Sequence, residues 1–231
     1  MINNNLIFDL GAYTGDTFDG FLKEKYKVIA VEAHPDYVKN ITKTYKKHIA
    51  NKQLTIINKC ISSESDKLIT FYISSHPDWC SANKKIAERK DSSVKKISIN
   101  TITLDNIIKE YGTPYFCKID IEGNDIIALE SLKNIDFEDR PKIISCETEC
   151  IGDENYTDIT GVEIIDKLKD LGYSKFLLIP GKQDKTLDVL THLDESCMCD
   201  YKQIVFYLSI LRKTYDFEVP WAFWWDVYAM R

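Results

Sequence analysis

The sequence lacks a long hydrophobic run. Its longest apolar stretch, IVFYLSIL from Ile204 to Leu211, has eight residues, whereas a helix that crosses a bilayer needs about 20. The first ten residues, MINNNLIFDL, do not place a basic segment before an apolar one, so they do not have the pattern of a signal peptide. We therefore expect a cytoplasmic protein with no membrane span.

Cysteines in a zinc-binding spacing are also lacking. The chain has seven cysteines, and the closest groupings are Cys146 with Cys150 and Cys197 with Cys199. Neither grouping has the two-residue spacing of a zinc knuckle. Without a secretory signal, such cysteines are typical of reduced thiols. The sequence thus predicts no structural metal.

An excess of positive charge is missing as well. The formal net charge is −6 at pH 7, and an acidic chain is a poor electrostatic partner for nucleic acid or an anionic membrane. We therefore predict no nucleic-acid partner. One segment does gather basic residues, namely Lys84, Lys85, Arg89, Lys90, Lys95 and Lys96.

Three motifs that identify common enzyme classes are absent. The dinucleotide-binding pattern G-x-G-x-x-G does not occur, which argues against an NAD-dependent oxidoreductase. Neither GK[ST] nor G-x-S-x-G occurs, so nothing supports an NTPase or a serine hydrolase.

What the sequence contains is an alternation of strand-like segments and amphipathic helical stripes, typical of βαβ units. One stripe runs from Phe18 to Tyr26 with Asp16 as its expected N-cap, and another, DNIIKEYG, is closed by Gly112. The strand-like segments are LIFDL (6–10), KVIAVEA (27–33), QLTIINKC (53–60), KLITFYIS (67–74), ISINTITL (97–104), YFCKIDI (115–121), KIISCETE (142–149), YSKFLLIP (173–180) and QIVFYLSIL (203–211). The pattern predicts an α/β fold with a mostly parallel sheet of about seven strands and helices on both faces.

The most specific local feature is the loop Asp9-Leu-Gly-Ala-Tyr-Thr-Gly-Asp-Thr17 after the first strand. Gly11 and Gly15 permit a tight turn and a close approach to a ligand. Glu32 follows Gly11 by 21 positions and can accept hydrogen bonds from a ribose. The two aspartates of the loop repel a pyrophosphate and attract a cation, so S-adenosylmethionine fits better than NAD. Alternatively, the glycines only form a turn and Glu32 is a solvated strand end.

A second group of acidic residues follows later strands. Within Lys118-Ile-Asp-Ile-Glu-Gly123, Asp120 and Glu122 point the same way in an extended chain, roughly 6–7 Å apart. Glu147 and Glu149 end another strand, and the carboxyl ends of parallel strands border one crevice. A carboxylate there could accept a proton, hold the cofactor ammonium or bind a metal ion. Solvated loop acids would show the same pattern.

In order along the chain, these motifs resemble the FkbM family of methyltransferases. The resemblance rests on Asp9-Leu-Gly11, Val31-Glu32, Thr103-Leu-Asp105, Lys118-Ile-Asp-Ile-Glu-Gly123 and Pro141-Lys-Ile-Ile-Ser-Cys-Glu147. It implies a single Rossmann-like class I methyltransferase domain over residues 1–231, with the cofactor core at about 5–150 and the acceptor side at about 151–231. Two departures are Tyr13, where the family usually has Asn, and Asp125, where an acid often follows the Glu-Gly pair by one residue.

The resemblance implies methyl transfer from S-adenosyl-L-methionine, usually to a hydroxyl oxygen and often on a sugar or natural product. By position, Asp9 and the two glycines of the first loop would hold the methionine part, and Glu32 the ribose. Cys60-Ile61 would flank the adenine, while Asp120 would face the methionine end and the reaction centre. The full set of cofactor-binding candidates is Asp9, Gly11, Tyr13, Gly15, Asp16, Thr17, Glu32, Ala33, Cys60, Ile61 and Asp120.

A weakly acidic hydroxyl needs alignment and a base before it can accept a methyl group. The candidate catalytic residues are Asp120, Glu122, Glu147 and His76. His76 begins the irregular segment 76–96, which predicts a loop with at least one helical turn; an ordinary surface histidine would look the same. A divalent metal could instead lower the pKa of the hydroxyl, but we do not favour that route.

Other interpretations of the same scaffold stay open. A noncatalytic protein could bind S-adenosylmethionine without turnover, and an enzyme could act on an acceptor that is not a sugar. Nucleic-acid amino methyltransferases generally carry an acidic-or-Asn/Pro/Pro/aromatic loop, which the segment 120–123 lacks. The C-terminal aromatic residues are assigned to core packing or a homodimer contact rather than to sugar binding; they are Trp221, Phe223, Trp224, Trp225 and Tyr228.

Overall fold

A computed structural model describes residues 1–148, 161–180, 186–214 and 225–231. Within these ranges the strands are β1 Asn3–Leu10, β2 Lys27–Val31, β3 Leu54–Ile57, β4 Cys60–Ile61, β5 Leu68–Ser74, β6 Val94–Ile102, β7 Pro114–Ile119, β8 Ile143–Glu147, β9 Lys175–Pro180 and β10 Trp225–Met230. The helices are α1 Asp16–Lys23, α2 Pro35–Thr44, α3 Lys46–Ala50, α4 Lys84–Ala87, α5 Leu104–Tyr111, α6 Asp125–Ser131, α7 Gly161–Asp170, α8 Thr186–His192 and α9 Tyr201–Thr214. Short 3₁₀ turns occur at Pro77–Trp79, Arg89–Asp91, Leu132–Asn134, Phe137–Asp139 and Glu195–Cys197.

Seven strands form the main sheet in the order β3-β2-β1-β7-β8-β10-β9. The first five are parallel to one another, and β10 runs antiparallel between β8 and β9. The predicted mostly parallel, seven-stranded sheet is therefore confirmed. The chain runs outward from β1 to β3 and then returns to the other side of β1. In open α/β sheets, the ligand crevice lies at such a reversal, beyond the carboxyl ends of the strands.

Residues of β1 show why both faces of the sheet are covered by helices. Leu6, Phe8 and Leu10 join a buried cluster with side chains of α5, α6, α7 and α9, whereas Ile7 packs with side chains of α1, α2 and α8 on the opposite face. A strand buried on both faces has a nearly continuous apolar sequence. The run LIFDL is such a strand, and the predicted helices on both faces are confirmed.

Two of the expected strands belong to a second sheet. β5 and β6 pair in antiparallel fashion and, with β4, form a separate three-stranded sheet. QLTIINKC divides into β3 and β4 because the chain turns at Asn58, whose side-chain amide donates to the carbonyl oxygen of Glu32 at 2.8 Å. Residues 75–93, which we call the β5–β6 connection, contain α4 and two 3₁₀ turns, as the irregular sequence predicted.

The expectation that QIVFYLSIL forms a strand is wrong, because this segment lies within α9. Ile204 and Leu208, four positions apart, are buried against the core, whereas Phe206 is exposed, and this spacing is helical. The helix is capped by Asp200, whose Oδ1 accepts from the backbone nitrogen of Gln203 at 2.9 Å. The seventh strand of the main sheet is β10 instead.

The aromatic C-terminal segment contributes to the core through β10. Tyr228 is buried, and its ring is nearly parallel to that of Phe116 in β7, with the centroids 6.1 Å apart. The core-packing interpretation is thus confirmed for Tyr228, while Trp221, Phe223 and Trp224 lie outside the described residues. Among the described helices, none combines the length and apolar character that crossing a membrane requires.

Candidate active site

A cleft of about 850 Å³, counted with its open mouth, lies beyond the carboxyl ends of β1, β2 and β7. Ten of the residues nominated from the sequence line it: Gly11, Tyr13, Asp16, Thr17, Glu32, Ala33, Cys60, Ile61, Asp120 and Glu122. Four nominated residues, Asp9, Gly15, Glu147 and His76, are not part of this lining. The sheet topology therefore brings the first loop, with Glu32, and the segment Lys118–Glu122 to the same cleft.

Gly11 turns the chain out of β1 where the backbone of β7 is very close. Its φ is +85°, and an added Cβ would lie 1.8 Å from the carbonyl oxygen of Asp120. The backbone nitrogens of Gly11 and Ala12 both donate to the carbonyl oxygen of Val31, at 2.9 and 3.1 Å. Only glycine fits this position, because it alone combines a left-handed backbone with no side chain.

The helix α1 begins after Gly15, so the expectation that Asp16 is its N-cap is wrong by one position. Gly15 has a φ of 94°, and an added Cβ would lie 2.6 Å from the ring of Phe18. Asp16 is the first helical residue, and its carboxylate accepts from Thr14 Oγ1 at 2.6 Å. A carboxylate in the first turn also interacts favourably with the helix dipole.

Glu32 connects the end of β2 to the first loop. Its Oε2 accepts from the backbone nitrogen of Tyr13 and its Oε1 from that of His34, both at 2.7 Å. Burial raises the pKa of Glu32 to about 7, against the opposing effect of these two hydrogen bonds. Each carboxylate oxygen keeps a second lone pair, so a carboxylate at the cleft wall can also accept from ligand hydroxyls.

The wall beside Glu32 is largely aromatic and apolar. The ring of Tyr37 lies 4.7 Å from that of Tyr13 and 4.3 Å from that of His34, measured between centroids. Cys60-Ile61 and Phe71 line the same cleft and are buried. Flat apolar surfaces of this kind suit an aromatic base.

Lys118 is a site residue that the sequence reasoning did not nominate. Its Nζ lies 2.9 Å from Asp120 Oδ2 and 3.8 Å from Asp9 Oδ1. Burial disfavours the ammonium, but Asp120 and Asp9 outweigh this and raise the pKa of Lys118. A signal was available, because Lys118 and Asp120 are two positions apart at the end of a strand and share one side. The expectation that Glu122 continues this extended segment is wrong, since Glu122 lies in the turn that follows β7, with a φ of +50°.

Asp9 lies behind Lys118 rather than at the cleft wall. Its side chain is 1% exposed, and within the described residues neither carboxylate oxygen has a hydrogen-bond partner. Burial raises the pKa of Asp9 to about 6, while Lys118 opposes the shift. Asp9 therefore affects the cleft through its charge, which favours the protonated form of Lys118 in the cleft wall.

The acidic strand ends meet, as the parallel sheet predicted. One oxygen each of Asp120, Glu122 and Glu147 lies within 4.8 Å of the others. Burial and the charge of Asp120 raise the pKa of Asp125 and of Asp226 to about 7. Asp226 of β10 lies opposite Glu147 of β8 in the antiparallel register. The sequence analysis did not predict a strand at β10, so it did not predict this position. Glu149 lies outside the described residues.

Carboxylate oxygens are the ligands that hard divalent cations prefer, so Asp120, Glu122 and Glu147 offer donors for one. The chain already supplies positive charge at two of them, through Lys118 at Asp120 and Arg89 at Glu122. An acidic cluster alone does not define a metal site, and we assign none.

Glu122 is held by two residues of the β5–β6 connection. Arg89 Nη2 donates to its Oε2 at 2.8 Å, and Ser81 Oγ donates to its carbonyl oxygen at 2.7 Å. His76, in the same connection, is exposed and stacks on the ring of Trp79 with a centroid distance of 3.9 Å. The structure thus places Glu122, and not His76, at the cleft.

The buried acids predict that stability falls as the pH rises. Burial raises the pKa of Asp9, Glu32, Asp125 and Asp226 to about 6–7, whereas unfolded carboxyls titrate near 4. Between these values the folded chain binds more protons than the unfolded chain, so the stabilisation is complete below pH 4 and is lost through pH 6–7. We expect the free energy of unfolding to be lower at pH 8 than at pH 5 by at least about 1.4 kcal/mol, the effect of a single group shifted by one pKa unit over this range.

Urea unfolding of the ligand-free protein at both pH values measures this difference. Asp125→Asn removes one of the raised groups and should reduce the difference. His34 works the other way, because burial lowers its pKa, but it is a single group against four. A free energy of unfolding that rises from pH 5 to pH 8 would contradict the prediction.

Comparison with known proteins identifies the protein family. A model of the methyltransferase FkbM domain matches residues 9–175, more than half of the chain. The chain belongs to the FkbM methyltransferase family. This family and the α/β fold are those of S-adenosylmethionine-dependent methyltransferases. The match extends past Glu147, the last residue of the motifs on which the resemblance rests.

A solved FkbM methyltransferase shares the fold at low identity. An FkbM methyltransferase from Methylobacillus flagellatus KT is 15% identical, with a TM-score of 0.50 over 80% of this chain and 42% of that one. The 231-residue chain described here therefore spans about two fifths of the length of the M. flagellatus protein. A SAM-dependent methyltransferase from Archaeoglobus fulgidus is 8% identical, with a TM-score of 0.49 over 99% of this chain and 87% of that one. No curated protein matches the sequence significantly.

Proposed function

We propose that this FkbM methyltransferase transfers the methyl group of S-adenosylmethionine to a hydroxyl oxygen of a sugar, a glycan or a related small molecule. The observation that carries the proposal is that a single cleft joins two different ends. Glu32 and Tyr37 of the aromatic wall follow β2 at one end, on one side of β1, and the carboxylates of Asp120 and Glu122 follow β7 at the other end, on the opposite side of β1. Adenosine and a cationic sulfur are joined in the same order in this cofactor.

The residues of the cleft fit the cofactor in detail. Glu32 can accept from the ribose hydroxyls, while Tyr37 and Cys60-Ile61 offer faces for the adenine. Gly11 lets the first loop turn directly against the backbone of Asp120, where any side chain would clash. Asp120 offers a carboxylate for the ammonium group, and Lys118 fixes its direction through the 2.9 Å contact. The excess of acidic over basic groups favours a cationic ligand.

When bound, the cofactor supplies a methyl group on a positively charged sulfur that leaves as a neutral thioether. The chain must align the acceptor oxygen and remove its proton. We assign this role to Glu122, because it lines the cleft whereas Glu147 does not, and because Asp120 is the residue that we assign to the cofactor ammonium group. The support for oxygen rather than nitrogen or carbon is this acidic, proton-accepting end of the cleft, together with family membership.

The proposal is tested in two steps. Calorimetry with S-adenosylmethionine, its demethylated product and NAD should show binding of the first two alone. A methyl-transfer screen against glycans and nucleotide sugars, with mass spectrometry of the products, should then locate the methyl group on oxygen. A methyl group on nitrogen or carbon would overturn the hydroxyl assignment, and binding without transfer to any acceptor would favour a noncatalytic protein.

The ribose assignment predicts a specific loss of affinity. Replacing Glu32 by Ala should weaken binding of the demethylated cofactor by about 1.5–3 kcal/mol, the worth of hydrogen bonds to a charged group. Calorimetry measures the affinity, and circular dichroism checks that the variant folds, since Tyr13 and His34 lose an acceptor. Glu64→Ala, at an exposed carboxylate, is the control and should bind normally. Unchanged affinity in the Glu32 variant would contradict the assignment of Glu32 to the ribose.

A further inference from the structure

The β5–β6 connection contacts the reaction end of the cleft from outside the main sheet. It contributes Ser81 and Arg89, which are 41 and 33 residues away from Glu122 in the sequence. Both side chains meet Glu122, one at its backbone and one at its carboxylate. Two contacts on a single residue fix its position as well as its direction.

Ser81 is itself immobilised. It is fully buried, and its backbone pairs with Tyr72 of β5 through two hydrogen bonds of 2.9 and 3.0 Å. Its Oγ donates to the Glu122 carbonyl oxygen at 2.7 Å and accepts from the backbone nitrogen of Asn83 at 2.9 Å. The hydroxyl is therefore a rigid support for the backbone of Glu122.

Arg89 is also held in place. Its side chain is 1% exposed, and its guanidinium carbon lies 4.7 Å from the centroid of the Trp79 ring. The Trp79 ring in turn stacks on His76. A guanidinium packed against an aromatic face keeps its direction, so its 2.8 Å contact with Glu122 is preorganised.

Glu122 needs such support for two reasons. Its φ is +50°, a left-handed conformation that costs free energy in a residue with a side chain. Burial and then the charge of Asp120 raise the pKa of Glu122 above its ordinary value. A proton acceptor must be ionised, and the charge of Arg89 favours the ionised form.

We infer that Arg89 and Ser81 are positioning residues of the methyl-transfer reaction, holding Glu122 by its carboxylate and by its carbonyl oxygen. The inference rests on the proposed function, in which Glu122 accepts the proton of the hydroxyl. Among the described residues, the charged and titratable groups that face Glu122 are Asp120, Asp125, Glu147, Cys80 and Arg89. Arg89 is the cation in this group, so removing its charge should raise the pKa of Glu122.

The test compares Arg89→Met, Arg89→Lys and Ser81→Ala. The ionisation of Glu122 is followed by carbon-13 NMR of glutamate-labelled protein, with its signal identified by its absence in Glu122→Gln. In Arg89→Met the pKa of Glu122 should rise by about one unit or more. Turnover at pH 7.5 should therefore fall about tenfold and recover at higher pH. Cofactor affinity should stay unchanged, because Arg89 does not line the cleft.

The other variants separate charge from position. Arg89→Lys keeps the charge and should keep the Glu122 pKa near that of the unchanged protein, with turnover between that of Arg89→Met and the unchanged protein. Ser81→Ala should lower turnover severalfold at every pH without moving the pKa. Lys96→Met, at an exposed cation of β6, is the matched control and should change neither quantity.

An Arg89→Met variant with an unchanged Glu122 pKa and pH profile would overturn the role of Arg89. If that variant does not fold, normal turnover in both Arg89→Lys and Ser81→Ala would overturn the inference. Failure of the proposed function would give a different result from failure of this inference. The unchanged protein would then bind no S-adenosylmethionine or would methylate no hydroxyl. The NMR titration needs no acceptor and reports on Arg89 in either case.

Discussion

Replacing Glu122 by Gln should reduce methyl transfer by about 100-fold or more, the usual worth of a general base. Glutamine keeps the shape of the side chain and an oxygen that can accept from Arg89, so the 2.8 Å contact has a substitute. It cannot take up the proton of the acceptor hydroxyl. The variant should therefore fold, bind the cofactor and fail in turnover.

The neighbouring variant Asp120→Asn separates two roles of the acidic pair. Asp120 contacts Lys118 at 2.9 Å, and its loss should appear first as weaker cofactor binding if it holds the ammonium group. Turnover at saturating cofactor would then be less affected than in Glu122→Gln. Steady-state kinetics over a range of cofactor concentrations measures the difference.

Two further measurements complete this test. Glu64→Gln changes an exposed carboxylate outside the cleft and should have normal turnover. A chelator should leave the unchanged protein active, whereas complete loss of activity would require a metal at the carboxylates. If the Glu122 and Asp120 variants both fold, bind cofactor and turn over normally, the acidic pair has no part in the chemistry.

Local sequence signals were enough to predict that residues of the first loop and of β2 line the cleft. The loop with Gly11 and the acid at Glu32 each end a strand of strongly apolar residues. Parallel strands bring their carboxyl ends to the same edge. The positions of Asp120, Glu122 and Glu147 follow from the same rule, and their oxygens indeed lie within 4.8 Å of one another.

The remaining parts depend on contacts that no local pattern encodes. Arg89 and Ser81 reach Glu122 from an irregular connection without periodicity, so their location depends on the course of an inserted sheet. The segment that forms α9 is a short apolar run, and periodicity does not distinguish a strand from a buried helix in such a run. Because that segment was assigned to the last strand, β10 was missed, and Asp226 with it.

Replacing Gly11 by Ala should abolish measurable cofactor binding and cost about 3–5 kcal/mol of stability. The first contribution is the left-handed backbone, since the φ of Gly11 is +85°. The second is the close approach, because a Cβ would lie 1.8 Å from the carbonyl oxygen of Asp120. That oxygen belongs to the backbone and cannot turn away as a side chain would, so the chain must separate after β1 and β7, where the cleft begins.

Gly112→Ala is the matched control for this prediction. Gly112 also has a positive φ, +94°, but an added Cβ there has no atom within 4 Å. Gly112 precedes the first residue of β7, Pro114, at the opposite edge of the sheet from the cleft. Its alanine variant should lose about 1–3 kcal/mol from backbone strain alone and should bind the cofactor normally. Urea unfolding and calorimetry on both variants measure the two effects, and equal losses of affinity would show that the close contact of Gly11 with Asp120 does not shape the cleft.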